Sequence, residues 1–132
     1  MSRNQNHELI MQSLYAILVR IDMKEEIDIA SVMEGVYKIP FNDIDLFSRG
    51  IIIKSLKHYD EISKLIEKKL KRWKWNRISK LSQAILLMSY THFKYIEKVD
   101  KAVIIEIAVK LAKKYLDKDD YKYINAVLDN IL

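Results

Sequence analysis

Residues 79–95 read SKLSQAILLMSYTHFKY, and they set the fold class because they are apolar on almost every side of a helix. A second stretch of the same kind, DKAVIIEIAVKLAKKYL, follows at residues 100–116. A helix that is apolar all round must be covered on every side, which places it at the centre of a bundle. Two such helices in succession therefore predict a globular helical assembly with one-sided helices packed around them.

One-sided helical patterns lie on either side of these two stretches. Apolar residues recur at helical spacing in five further segments, at about residues 4–21, 25–37, 43–56, 62–73 and 120–131. The 132 residues include only two glycines and one proline, too few turn-forming residues for an all-β sandwich or barrel. We therefore expect an all-α fold of about seven helices, formed as a single helical domain over residues 1–132.

The residue types on which enzymes and metal sites depend are scarce. Cysteine is absent, which excludes disulfides, zinc–thiolate sites and thiol nucleophiles. The two glycines stand apart, so the chain has no Gly-rich phosphate loop. Three histidines, His7, His58 and His92, lie far apart in sequence and outside any metal-binding spacing. We expect no enzyme activity, no cofactor and no metal site.

Apolar runs are short throughout the chain. None approaches the roughly 18 residues that a transmembrane helix requires. The first eight residues are polar and lack the apolar centre of a signal peptide. We therefore expect a cytoplasmic protein without a membrane partner.

Positive charge is concentrated in one segment. The formal net charge is +5, yet residues 54–80 alone carry ten basic and three acidic side chains. Such a field attracts a polyanion through counterion release, although a solvated lysine face that keeps a protein soluble has the same composition. Trp73 and Trp75 alternate with bases here. Interleaved aromatics and bases can stack nucleobases, but two indoles at a helix junction more often fill a core, and we expect both to be buried.

The C-terminal third carries the most specific motif. Residues 122–129 read KYINAVLD and follow AVKLAKKY at residues 108–115. These segments resemble the signature of the NusB transcription antitermination family, whose last helix reads roughly KFVNGVLD. Near the N-terminus, QSLY at residues 12–15 is close to the family's QALY. Residues 62–93 resemble its middle pattern, so the similarity spans nearly the whole chain.

The resemblance implies a fold of two packed helical bundles and a role in transcription antitermination on ribosomal RNA operons. It implies binding to the boxA element of nascent RNA together with the small-subunit ribosomal protein NusE, within the transcription elongation complex. A homodimer of the free chain stays open. The positions that correspond to the family's RNA-binding residues are Arg3, Asn4, Gln5, His7, Lys122, Tyr123 and Asn125. The positions that correspond to its NusE-facing region are Ser82, Gln83 and Asp119.

The residue chemistry allows this role and also a second one. Lys122 can meet a phosphate, and Tyr123 can stack on an unpaired base, although an exposed lysine and a half-buried aromatic are the structural alternatives. The family usually has several arginines ahead of its QALY, whereas this chain has only Arg3 there. Neutral side chains bind phosphate less strongly than arginine. The alternative is therefore a protein-interaction scaffold of the same fold with reduced RNA binding of its own.

Overall fold

Seven α-helices form the fold in the computed structural model, which describes residues 3–71 and 73–132 and, at residues 3 and 4, the backbone alone. They are α1 (Arg3–Asp22), α2 (Ile29–Tyr37), α3 (Leu46–Lys57), α4 (Tyr59–Lys69), α5 (Lys80–Thr91), α6 (Lys101–Tyr115) and α7 (Asp120–Ile131). Short 3-10 turns lie at Phe41–Asp43 and Trp75–Arg77, and a π-helical turn lies at His92–Ile96. No strand occurs within the described ranges, so the expected all-α fold with about seven helices is confirmed.

Helix α5 occupies the centre of the molecule. Every residue from Ser82 to Thr91 is buried. On one side α1 packs on α2 and α3, on the other α7 packs on α4 and α6, and α5 contacts members of both groups. This arrangement confirms the expected pair of packed helical bundles, with the most apolar helix shared between them.

The second stretch that the sequence marks as central is covered on one side only. In α6 the buried residues fall on a single stripe: Ile104, Ala108, Leu111 and Ala112. Val103, which lies off this stripe, is 43% exposed. Helix α6 packs chiefly on α5 and α7, and these two neighbours cover one face of it. The expectation of a fully enclosed α6 is therefore wrong.

Helix α2 begins later than the apolar pattern indicates. It starts at Ile29 rather than near residue 25. The Asp28 carboxylate accepts a hydrogen bond from the backbone N–H of Ser31 at 3.3 Å, which is the geometry of an N-terminal cap. The acidic residues before Asp28 thus precede the helix instead of opening it.

Two other helices end earlier than expected. Helix α4 stops at Lys69 and does not continue to residue 73, because Leu70 takes an extended backbone conformation. The Glu67 carboxylate accepts a hydrogen bond from the backbone N–H of Trp75 at 2.7 Å, which ties the following segment to the end of α4. Helix α5 changes to π-helical geometry at His92, within the stretch that the sequence reads as one helix.

Candidate nucleic-acid interface

The first turn of α7 presents a cation to solvent. The Lys122 ammonium lies 3.4 Å from Oδ1 of Asp119, and the two side chains are 66% and 71% exposed. An exposed pair of this kind contributes only about 0–1 kcal/mol. A phosphate group can therefore take the ammonium from the carboxylate at little cost. The structure places a predicted RNA-binding residue and a predicted partner-binding residue side by side.

Tyr123, the next residue, is half-buried and fixed at its hydroxyl end. Its hydroxyl donates a hydrogen bond to Oγ of Ser82 at the start of α5. Burial raises the pKa of Tyr123, against the opposing effect of the hydrogen bond with Ser82. The phenol therefore stays neutral at physiological pH, and its ring is held in one orientation against the fold. Such a ring is suited to stacking on a planar base.

The residues of α7 that reach the surface, the half-buried Tyr123 among them, form two stripes at helical spacing. Tyr123, Ala126 and Asn130 face the segment that follows α4. Asn125 and Asp129 face α6 across a shallow groove. The structure thus brings Tyr123 to one groove and Asn125 to another, on the same helix.

Ser82 and Gln83 are buried, each with 1% of its surface exposed. The Gln83 side-chain amide donates to the backbone carbonyl of Trp75 at 2.9 Å. Oγ of Ser82 accepts a hydrogen bond from the Tyr123 hydroxyl. The backbone N–H of Ser82 donates to Oγ of Ser79 at 3.1 Å, so that the Ser79 side chain caps α5. Both predicted partner-binding side chains therefore form bonds inside the fold, whereas Asp119 lies on the surface.

The N-terminal candidates do not form one exposed patch. The side chains of Arg3 and Asn4 lie outside the described part of the chain. His7 is 1% exposed, and its ring centre lies 5.6 Å from that of Phe47 and 5.5 Å from that of His92. The His7 side chain is thus part of the packing between α1, α3 and the end of α5.

An ion pair joins the beginning of α1 to the end of α6. Oε1 of Glu8 lies 2.6 Å from the Lys114 ammonium, and the Tyr115 hydroxyl donates to Oε2 of Glu8 at 3.0 Å. The hydrogen bond from Lys114 lowers the pKa of Glu8 and raises the pKa of Lys114. Gln5 is exposed one turn before this pair.

Tyr123 binds Ser82 at the start of α5, whereas His7 packs against His92 just beyond the end of α5. The predicted α7 and N-terminal positions therefore lie toward opposite ends of this helix.

Trp75 is buried where the segment between α4 and α5 crosses the core. It is 7% exposed, its indole N–H donates to the Tyr59 hydroxyl at 2.7 Å, and its backbone is bound by Glu67 and Gln83. Trp73, in contrast, is 58% exposed. The expectation of two buried indoles is right for Trp75 and wrong for Trp73, because Trp75 already occupies the core position beneath this segment.

A groove of about 290 Å³ separates this segment from α7. Its lining residues are Lys69, Leu70, Lys71, Trp73, Tyr123, Ala126, Val127 and Asn130. Of these residues, only Tyr123 is among the binding residues that the family resemblance implies. The alternation of bases and aromatics in the segment is the sequence signal for the opposite wall. That signal does not show which of the two indoles is exposed.

Among the residues that the structure describes, no group of three or more His, Cys, Asp or Glu side chains lies close enough to hold a metal ion. No helix in the described ranges is both long and apolar enough to cross a membrane.

Comparison with known proteins gives one consistent result. The model of the NusB family matches residues 4–132. The transcription antitermination protein NusB of Finegoldia magna is 33% identical over 133 residues, an alignment that covers 100% of this chain and 94% of the relative. The protein of the same name from Clostridium botulinum is 31% identical and is covered to 98%, again with 100% of this chain.

Solved structures share the fold. T. maritima NusB superimposes with a TM-score of 0.79 at 22% identity, over 99% of this chain and 90% of that one. A chain in the structure named "Crystal Structure of a Plectonemic RNA Supercoil" superimposes with a TM-score of 0.77, also at 22% identity, over 98% of this chain and 94% of that one.

Proposed function

The chain belongs to the NusB family, and on this premise we propose that it is a transcription antitermination factor that binds boxA-type single-stranded RNA together with ribosomal protein NusE. The observation that carries the proposal is the first turn of α7. There an exposed ammonium, Lys122, stands next to a half-buried and oriented ring, Tyr123.

These two side chains supply the two interactions that single-stranded RNA requires. The ammonium neutralises a backbone phosphate and releases counterions. The ring offers a π-face to an unstacked base, which a duplex would keep paired. The relatives' name, transcription antitermination protein, and the occurrence of the same fold in a structure named for RNA support this assignment.

Contact with NusE is proposed for the surface around Asp119. This carboxylate is 71% exposed and lies beside Lys122, so a protein bound there also touches the RNA site. Ser82 and Gln83 act from beneath that surface, through the Tyr123 hydroxyl and the Trp75 backbone. We place this assembly in the cytoplasm, on the transcription elongation complex, where the chain serves ribosomal RNA operons by binding rather than by catalysis.

A second candidate function is a protein-interaction scaffold with weak RNA binding of its own. Two observations at the N-terminus favour it. His7 is packed inside the fold, and Glu8 neutralises Lys114 at the surface nearby. Phosphate binding then depends on α7 and the basic segment more heavily than on the start of α1.

The salt dependence of RNA binding separates the two functions. We expect a boxA-like single strand to bind the chain, and more tightly with NusE present, with a steep fall in affinity as salt rises. Lys122→Gln should weaken binding and reduce the salt slope by about 1, which is the effect of losing one phosphate contact. Titrations at several salt concentrations, followed by fluorescence anisotropy of labelled RNA, measure both quantities.

Lys38→Gln is the matched control. Lys38 is exposed and directly follows α2 in the other bundle, so the salt slope of Lys38→Gln should equal that of the unmodified chain. An unchanged slope for Lys122→Gln would remove Lys122 from the site. No binding of RNA by the unmodified chain, even with NusE, would refute RNA recognition and leave the scaffold.

A further inference from the structure

Trp73 is a large aromatic side chain that the fold leaves open to solvent. It is 58% exposed, whereas Trp75, two residues later, is 7% exposed. Exposing an indole leaves favourable burial unrealised, and a single exposed apolar side chain indicates a binding site only together with the surface around it. What the open indole can bind therefore depends on the groove that it lines.

The groove beside Trp73 has the size of a site for a small planar ligand. Its volume is about 290 Å³, just under the roughly 300–1,000 Å³ of sites for drug-sized molecules. Trp73 stands on one wall, and Tyr123 with Ala126 on the other. Two aromatic side chains that face one groove suit a nucleobase, because every base has a π-face.

Positive charge lies on one wall of the same groove. Lys69 and Lys71 are exposed members of its lining, and the described lining residues include no carboxylate. They belong to the segment 54–80, in which ten basic side chains oppose three acidic ones. Lysine ammonium groups act as point charges toward phosphate. A polyanion with unpaired bases thus fits both the charge and the shape of the groove.

We propose that this groove holds an unpaired nucleotide of single-stranded RNA, with its base stacked on Trp73 and the flanking phosphates on Lys69 and Lys71. The inference rests on the proposed function and extends it, since Tyr123 lines the groove and Lys122 precedes it on α7. One strand can run from the start of α7 across Tyr123 into the groove. Its affinity then depends on the segment after α4 as well as on α7.

Substitution of Trp73 tests the stacking contact. Removal of one aromatic platform lowers affinity by about 5- to 100-fold, so Trp73→Ala should bind a boxA-like single strand that much more weakly than the unmodified chain. Trp73→Phe, which keeps a ring, should lose less. The anisotropy of the labelled RNA reports overall binding, and thermal melting followed by circular dichroism verifies that both variants are folded.

The lysines are tested separately by salt dependence. Lys69→Gln and Lys71→Gln should each reduce the salt slope by about 1, while Lys38→Gln leaves it unchanged. In the unmodified chain, quenching of tryptophan emission on addition of RNA should follow the anisotropy titration. Trp73→Phe should remove that quenching and leave only the emission of buried Trp75.

The outcomes distinguish this inference from the function on which it rests. Normal RNA affinity in Trp73→Ala, with tight binding by the unmodified chain, would overturn the nucleotide site and leave the proposed function standing. Normal RNA affinity combined with weakened NusE binding would also overturn it and identify the groove as a protein-binding surface. Failure of the unmodified chain to bind RNA, with or without NusE, would overturn both.

Discussion

Two tryptophans separated by one residue have opposite surroundings in this molecule. Trp75 is enclosed, with Tyr59 at its indole nitrogen and Glu67 and Gln83 at its backbone. Trp73 stands in an open groove against α7. Both are tryptophans that adjoin Lys74 in the sequence, so residue type and this shared neighbour do not determine which of them is buried. Contacts from α4 and α5 determine it. They divide the segment between these helices into an anchored part around Trp75 and an exposed part around Trp73 that is available for binding.

The anchored part should account for the largest effect on stability. Trp75→Ala removes a buried indole and leaves a cavity beneath the segment, so the free energy of unfolding should fall by about 3–5 kcal/mol. Urea denaturation followed by circular dichroism measures the change.

Trp73→Ala is the comparison for that measurement. An exposed side chain away from the core changes stability by about 0.5 kcal/mol or less, so its unfolding curve should nearly match that of the unmodified chain. Equal destabilisation by the two substitutions would contradict the division into an anchored and an exposed part.

A smaller effect is expected on the opposite wall of the groove, at the bond between Tyr123 of α7 and Ser82 of α5. Ser82→Ala removes the acceptor of a half-buried hydroxyl, which should cost about 1–2 kcal/mol of stability. The Tyr123 ring remains, so RNA affinity should fall less than in Trp73→Ala. Urea denaturation and the RNA titration together measure the two effects.

Tyr123→Phe and the double variant complete a thermodynamic cycle. If the Tyr123 hydroxyl and Ser82 stabilise the fold through the bond between them, the double variant should unfold with the same free energy as the less stable of the two single variants. Strictly additive losses would show that the two side chains act independently.

The central position of α5 could be predicted from the sequence, because a helix that is apolar on every side must be covered on every side. Every position of α5 from Ser82 to Thr91 is buried, as its all-round apolar pattern indicates. The same pattern was misleading for α6, where Val103 is exposed. Apolar residues show what a helix is able to bury, and the number of neighbouring helices determines how much of it they cover.

At His7, the helical spacing of α1 and the resemblance to the NusB family indicate different surroundings for the side chain. The apolar stripe of α1 runs through Ile10, Leu14 and Ile17, and His7 lies three residues before it at helical spacing. That spacing predicts a buried side chain, which the structure shows at 1% exposure. The family likeness assigned the same position to RNA, and this role stays a prediction.

The groove could not be predicted, because its walls are distant in sequence. Trp73 and Tyr123 are brought together by the packing of α4 on α7. The path of the segment between α4 and α5 depends on the bond that Trp75 donates to Tyr59 and the bond that it accepts from Gln83. Periodicity reports local structure only. On the α7 wall the motif identifies Tyr123 alone, and the other lining residues require the fold.

The two indole N–H signals in an NMR titration with single-stranded RNA provide the decisive measurement, since the chain contains two tryptophans. The indole N–H signal that is missing from the spectrum of Trp73→Phe belongs to Trp73. The Trp73 signal should move as RNA is added, while that of Trp75, bonded to the Tyr59 hydroxyl, should stay in place. A bound RNA that leaves the Trp73 signal unmoved, or that moves the Trp75 signal instead, would contradict the account of an anchored core with its binding surface outside.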